Sequence, residues 1–266
     1  RMNTKYSPLE KEWSDLLKKE DKFLNSRIKA NVPFINEKLD PKIPEKLRDT
    51  LNTAFNKAFE IIFEKGVGII EKTYNKEKYE LDYKVNEYAL GLKNDRKRLK
   101  KFGKRAGVAK KVNMAVSCAS GIGLGALGIG IPDIPIFTAS VFKSIYETAL
   151  SFGYGYESLQ ERLFILKIIE VSMKQGVDFA EDNTEFNKII DGRQSIEEEL
   201  ETQKKRTAQA MTDAMIYMKF LQGMFIIGAV GGAWDVVYMN RITDYAILKY
   251  KRRFLVDKFG AHVKAD

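Results

Sequence analysis

Apolar residues recur at three- and four-residue spacing along most of the chain, which is the pattern of amphipathic α-helices. The clearest runs lie within residues 47–63, 159–173 and 245–259. The first run follows Pro41 and Pro44 and has Glu45 in its predicted first turn, and these residue types signal a helix start. Residues 196–206 are rich in Glu, Lys and Arg and predict a solvent-exposed helix. Since the sequence lacks clear period-two alternation, we predict an all-α fold.

Two uncharged, glycine-rich segments interrupt this pattern, one at residues 112–132 and the other at residues 220–234. Each contains two glycines four residues apart, a spacing that allows helices to approach closely. These pairs are Gly121 with Gly125, and Gly228 with Gly232. The sequence therefore predicts that the two segments contact each other, with lipid or another subunit as the alternative contact.

We expect a single helical domain in which the two glycine-rich segments are packed centrally, residues 119–130 against residues 225–234. The predicted divisions are a helical extension over residues 1–40, the main domain over 41–260 and a tail over 261–266. No linker rich in Pro, Ser or Gly divides the chain further.

Positive charge is concentrated in one short block. The chain has 45 Lys and Arg against 36 Asp and Glu, a net charge of +9. Residues 93–111 alone contain ten Lys or Arg and one Asp, so the remainder is neutral overall. A basic block directly before an apolar segment is the arrangement expected next to an anionic membrane surface. The candidate lipid-binding cations are Lys97, Arg98, Lys100, Lys101, Lys104, Arg105, Lys110 and Lys111.

The basic block has two other interpretations. A solvated charged helix would need no partner at all. Nucleic acid is less favoured because Phe102 is the block's one aromatic residue and no nucleic-acid-binding motif follows it.

Composition and motif context argue against an ordinary hydrolase and against a nucleotide-binding enzyme. Histidine and cysteine each occur once, which removes most metal sites and imidazole-based catalysis. Gly123, Gly125 and Gly128 match the letters of a dinucleotide-binding loop, but no buried strand precedes them. We therefore assign no catalytic residue, no metal and no cofactor.

The order of several motifs resembles the EcsC protein family. A glycine-rich stretch leads into an Asp-x-Pro, then a Gly-Tyr, then an acidic residue followed by arginine, and a Gly-rich segment with a later Asn closes the pattern. The matching residues are Gly121, Gly123, Gly125, Asp133, Pro135, Gly153, Tyr154, Glu161, Arg162, Gly228, Gly232 and Asn240. The resemblance covers roughly residues 9 to 260, although the spacer at 175–201 offers no family landmark.

What the resemblance implies is fold and context, not a reaction. The family is mostly bacterial and is named after a protein encoded beside an ABC transporter, so a membrane transporter or another protein is a possible partner. The oligomeric state stays open.

Four carboxylates border the apolar runs and support an alternative function. Asp133 is best explained as the N-cap of a helix running to about residue 152. If Asp133, Glu147, Glu161 and Asp235 instead converged on one pocket, they would favour an enzyme that uses carboxylates alone. A buried Arg162 would need an acidic partner such as Asp133 or Asp235.

The favoured hypothesis is a non-enzymatic, membrane-associated accessory protein that binds anionic lipid through the basic block. The apolar segments are glycine-rich and the mean hydropathy is −0.32, so shallow insertion or peripheral binding is favoured over spanning. Because no secretory signal is visible, we expect a cytoplasmic protein at the inner face of the cell membrane.

Overall fold

The computed structural model describes residues 7–28, 40–116, 133–224 and 231–260. Within these ranges the structure is helical and contains no strand, which confirms the predicted all-α fold. The helices are α1 (Pro8–Ile28), α2 (Glu45–Ile61), α3 (Val67–Glu71), α4 (Lys76–Leu92), α5 (Arg96–Val116), α6 (Asp133–Ser151), α7 (Leu159–Met173), α8 (Gly176–Gly192), α9 (Leu200–Met224) and α10 (Gly231–Phe259). A 3-10 turn at Asp40–Lys42 precedes α2, and a π-helical turn at Ile62–Gly66 joins α2 to α3.

The predicted start of α2 is confirmed. Pro44 has extended backbone angles and immediately precedes Glu45, the first residue of the helix. The periodic apolar residues that predicted this helix face the core, because Leu51, Phe55 and Phe59 are fully buried. Their burial against α6 and α9 stabilises the helix more than its intrinsic propensity does.

Helices α6 and α7 form the centre of the fold. From Leu163 to Met173 every residue of α7 is buried, which is the pattern of a helix surrounded on all sides. Helix α6 carries buried hydroxyls, and Thr138 and Thr148 donate to the carbonyls four residues earlier, each across 2.7 Å. These local bonds satisfy polar groups that would otherwise be costly to bury.

The remaining helices surround this centre. Helix α10 contacts both α6 and α7, and α1 packs against α5, α8 and α10. Glu12 of α1 is buried and accepts hydrogen bonds from Arg96 of α5 at 2.9 Å and Lys251 of α10 at 2.7 Å. The first described helix is therefore tied to two later ones by a shared carboxylate.

One expected element differs from the structure. Residues 196–206 were expected to form a solvent-exposed helix, but α9 begins only at Leu200, and Gln203 and Lys204 are buried. Gln203 donates to the buried carboxylate of Glu170 across 2.8 Å. The polar composition of this segment thus reflects contact with a buried acid as well as exposure to water.

The glycine-rich segments lie largely outside the described residues. Gly121, Gly123, Gly125 and Gly228 fall there, as does the expected packing of residues 119–130 on 225–234. Gly232 is in the first turn of α10, where only the backbone is described. Among the helices that the structure describes, none combines the length and hydrophobicity needed to cross a membrane.

Candidate functional site

Most of the basic block is on α5, which forms a helical hairpin with α4. Residues 93–95 connect the two helices, and the Asp95 carboxylate accepts from the backbone N–H of Arg98 across 2.9 Å. Further along, Nε of Arg105 lies 3.3 Å from the Asp82 carboxylate, and the rings of Tyr83 and Phe102 are 5.7 Å apart. These contacts hold α4 and α5 side by side.

The arginines of the block are held in ion pairs. Arg96 reaches Glu12 and Asp15 of α1, while Arg98 pairs with Asp95 in the connection. The guanidinium of Arg105 also lies 4.4 Å from the centroid of the Tyr79 ring. These side chains connect elements of the fold, so Arg98 and Arg105 are less available to an external anion than their charge suggested.

Four lysines of the block differ from its arginines in their exposure and in their ion pairing. Lys97, Lys100, Lys101 and Lys104 are exposed, and within the described part of the chain none of them forms an ion pair. Their spacing of three and four residues puts them on one side of α5. The opposite side is buried through Leu99, Phe102 and Ala106. We call these four lysines the lysine stripe. Lys110 and Lys111 are later residues of α5, and the structure describes only their backbone.

An exposed apolar row on α4 was not predicted from the sequence. Leu81, Val85, Tyr88 and Leu92 are 61%, 57%, 71% and 70% exposed. We call them the apolar stripe. Their spacing of four, three and four residues was visible in the sequence, but Tyr79, Tyr83 and Leu90 suggest a second apolar face on the same helix. Only tertiary packing shows that Tyr79 and Leu90 are on the buried side.

The motif residues between α6 and α7 form a corner that docks on α10. Tyr154 donates its hydroxyl hydrogen to the Asp257 carboxylate across 2.7 Å. The guanidinium of Arg253 lies 4.2 Å from the centroid of the Tyr154 ring. Glu161 accepts from Tyr250 at 2.6 Å and from Arg253 at 2.7 Å. The Gly-Tyr and acidic motif residues therefore hold α7 against α10.

Burial governs the electrostatics of this corner. Desolvation raises the pKa of Glu161 above its ordinary value, although Arg253 and Tyr250 favour the ionised form. Desolvation and the Asp257 charge likewise raise the pKa of Tyr154. The arrangement keeps Tyr154 protonated as a hydrogen-bond donor.

Gly153 joins the corner to the hairpin. Its φ of +85° is in the left-handed region that favours glycine, and an added Cβ would overlap the Tyr83 ring of α4. Pro135, another motif residue, is buried in the first turn of α6. Both are explained by backbone geometry and packing.

Two other motif residues, Arg162 and Asn240, each have a buried polar atom whose hydrogen bonding is not satisfied by the described residues. Among the described residues, Nε of Arg162 has no hydrogen-bond partner although it is buried, and the Arg162 guanidinium lies 5.3 Å from the centroid of the Phe63 ring. Oδ1 of Asn240 on α10 is also buried and has no partner within the same residues.

The four carboxylates lie on three helices: Asp133 and Glu147 on α6, Glu161 on α7 and Asp235 on α10. Asp133 begins α6, as predicted, but its side chain is outside the description. Glu147 accepts from Tyr79 of α4 across 3.0 Å, whereas Glu161 bonds to α10. Asp235 is part of the second turn of α10 and is half-buried. In the described ranges no group of three or more His, Cys, Asp or Glu is arranged to hold a metal ion.

Comparison with known proteins gives one match. A profile described as the EcsC protein family matches residues 10–255, nearly the whole chain. No curated protein and no solved structure matches the chain.

Proposed function

The chain belongs to the EcsC protein family, and we propose that it is a peripheral membrane protein whose lysine stripe binds an anionic lipid surface. The observation that carries the proposal is the separation of charges on α5. The arginines contact acidic partners within the fold, while Lys97, Lys100, Lys101 and Lys104 are exposed and form no ion pair with any residue that the structure describes. We place this surface at the inner face of the cell membrane, where anionic lipids provide the negative potential.

The chemistry of lysine suits a lipid surface. A lysine ammonium is a compact charge on a flexible stem, so it can follow mobile headgroups without the fixed geometry of a guanidinium fork. Each lysine near an anionic leaflet contributes about 1 kcal/mol. Four on one side of a helix span about 10 Å along its axis and can act together.

Nucleic acid is the weaker candidate for the same surface. Binding of single strands combines cations with aromatic rings on which bases stack. Phe102, the aromatic residue of the block, is 1% exposed and packs against Tyr83 and Phe254. It is therefore unavailable for stacking on a base.

Vesicle flotation tests the proposal. The lysine variant replaces Lys97, Lys100, Lys101 and Lys104 with Gln. A control variant with the same change in charge replaces four exposed lysines on other elements: Lys42, Lys46, Lys57 and Lys205. We expect the lysine variant to bind phosphatidylglycerol-containing vesicles on the order of 100- to 1,000-fold more weakly than wild type, and with a flatter salt dependence.

The control variant should lose much less affinity, because its substitutions lower net charge without touching the stripe. Equal binding of wild type to neutral and anionic vesicles, or equal losses in both variants, would overturn the proposal. Thermal melts of both variants check that the fold is intact. Tight, stripe-dependent binding to an oligonucleotide without vesicle binding would assign the surface to nucleic acid instead.

A further inference from the structure

The apolar stripe and the lysine stripe lie next to each other on the hairpin. Helices α4 and α5 leave the connection at residues 93–95 in opposite directions with the same rise per residue, so residues at equal distances from it lie at the same level. Leu92 is thus level with Arg96, which precedes Lys97; Tyr88 is level with Lys100, and Val85 with Gly103, which precedes Lys104. The ion pair of Asp82 with Arg105 and the Tyr83–Phe102 contact agree with this side-by-side arrangement.

Both stripes are directed away from the same helix. Helices α4 and α5 each pack on α6, through buried faces that include Tyr79 and Leu90 on α4, and Leu99 and Phe102 on α5. The exposed faces are opposite these buried ones. The hairpin therefore presents a row of apolar side chains beside a row of cations on one surface.

We propose that the hairpin docks on an anionic bilayer with the apolar stripe inserted at the boundary between headgroups and acyl chains. This inference rests on the proposed function and adds a hydrophobic contribution to it. The α4 axis lies along the membrane surface, as in interfacial amphipathic helices, whose apolar faces enter by about 5–10 Å. The lysine stripe remains at the level of the headgroups.

The chemistry of the surrounding residues favours lipid as the occupant. Tyr88 combines an apolar ring with a polar hydroxyl, a combination enriched at membrane interfaces. The exposed acidic residues of α4, Glu77 and Glu80, lie at its N-terminal end, farthest from the connection. The end of α4 near Leu92 therefore carries less exposed negative charge than the end near Leu81.

A salt titration of vesicle partitioning separates the two contributions. The apolar variant replaces Leu81, Val85 and Leu92 with Gln, which retains helix propensity. Its control replaces three exposed apolar residues on other helices, Ile69, Leu159 and Val177, with Gln. We expect the apolar variant to partition roughly ten- to a hundredfold more weakly than wild type at every salt concentration, with an unchanged salt slope. Its control should partition like wild type, and the lysine variant should have the flatter slope.

A fluorescent probe reports insertion directly. In a Cys118→Ser background, an environment-sensitive dye is attached at Tyr88→Cys or, as a control, at Leu159→Cys. We expect a blue shift and quenching by bromolipids for the dye at position 88 and neither change for the dye at position 159. The absence of a shift at position 88 during measurable vesicle binding would overturn insertion.

The outcomes distinguish the two proposals. If the lysine variant loses binding and the apolar variant does not, electrostatic docking stands and insertion is wrong. If the lysine variant binds like wild type, the proposed function is wrong. A self-association that the apolar variant loses, with unchanged vesicle binding, would assign the apolar stripe to a second copy of the chain and overturn the inference.

Discussion

The hydroxyl of Tyr250 donates to Oε1 of Glu161 across 2.6 Å, and both side chains are buried. This bond joins α10 to the first turn of α7, and Arg253 reaches the second oxygen of the same carboxylate at 2.7 Å. Burial raises the pKa of Glu161, so the ionised form depends on these two donors. The motif glutamate is therefore a structural anchor whose stability contribution can be measured.

We expect Tyr250→Phe to lower the free energy of unfolding by about 1.5–3 kcal/mol, because a hydrogen bond to a buried carboxylate is lost. Tyr146→Phe is the matched control. The Tyr146 hydroxyl is buried and has no hydrogen-bond partner in the part of the chain that the structure describes, so its removal should change stability by less than about 1 kcal/mol or increase it. Urea denaturation measures both. Equal losses would contradict the assigned difference between the two tyrosines.

Replacing the buried Lys249 and replacing its partner Glu20 should have unequal effects on stability. Lys249 is fully buried, and its ammonium donates to Glu20 at 3.0 Å and Asn187 at 2.5 Å. Glu20 also accepts from Arg252 at 2.6 Å. Lys249→Met should change stability at pH 7 by within about 1 kcal/mol, because Glu20 keeps Arg252. Glu20→Gln should cost about 3–5 kcal/mol, because it leaves the buried Lys249 ammonium without a carboxylate partner, whereas Arg252 keeps Asp191 at 2.6 Å.

The pH dependence of Lys249 gives an independent check. Burial lowers its pKa to about 8, against the opposing charge of Glu20. Between about pH 8 and 10.5 the unfolded lysine is protonated and the folded one is neutral, so its contribution to stability rises with pH. The stability of wild type relative to Lys249→Met should therefore increase by roughly 3 kcal/mol across this range. A constant difference would show that the lysine has an ordinary pKa.

Acid stability should depend on Glu170. Burial alone would raise its pKa, but Lys167, Gln203 and Lys174 outweigh burial and lower it to about 2. Because the pKa is lowered on folding, the stabilisation is present above about pH 4.5 and is lost as the pH falls towards 2.

Glu170→Gln should thus cost on the order of 3 kcal/mol at pH 7 and flatten the acid limb of the stability profile. The control is Glu185→Gln, since Glu185 forms an exposed ion pair with Lys188 at 3.6 Å and should contribute less than about 1 kcal/mol. Urea denaturation at several pH values between 2 and 7 measures both. An acid limb that is unchanged in Glu170→Gln would refute the role of this carboxylate.

The fold class and several helix boundaries could be predicted from the sequence because they depend on local signals. The apolar periodicity of α2 and the prolines before it predicted its start at Glu45, and Asp133 predicted the start of α6. Contacts distant in sequence carry no such signal. Arg253 and Glu161 are 92 residues apart, and nothing in either segment identifies the other as its partner.

The candidate surface could be predicted only in part. A local excess of cations marked the basic block. Which of its cations form ion pairs with the described residues depends on acids elsewhere, such as Glu12 and Asp82. The apolar stripe was missed for a related reason. A helix with two apolar faces does not reveal which one is buried, and only the packing of α4 on α6 decides it.

Gly153 at the motif corner should not tolerate a side chain. Gly153→Ala would force an L-residue into φ +85° and would place a methyl group against the Tyr83 ring. That ring is held by Phe102 and by the hydrogen bond from its hydroxyl to Glu87 at 3.1 Å, which restricts its ability to move away.

Gly176→Ala is the matched control, because Gly176 has φ +62° and open space where the methyl group would go. We expect about 1–2 kcal/mol of backbone strain at both positions and a further 1–3 kcal/mol of overpacking at Gly153 alone. In a Tyr83→Ala background the two glycine substitutions should cost the same, since the overlap is then removed. Urea denaturation of wild type, Tyr83→Ala, the two single glycine variants and the two double variants measures the cycle. An excess cost at Gly153 that persists without the ring would place its origin in the backbone of the corner and not in the contact with α4.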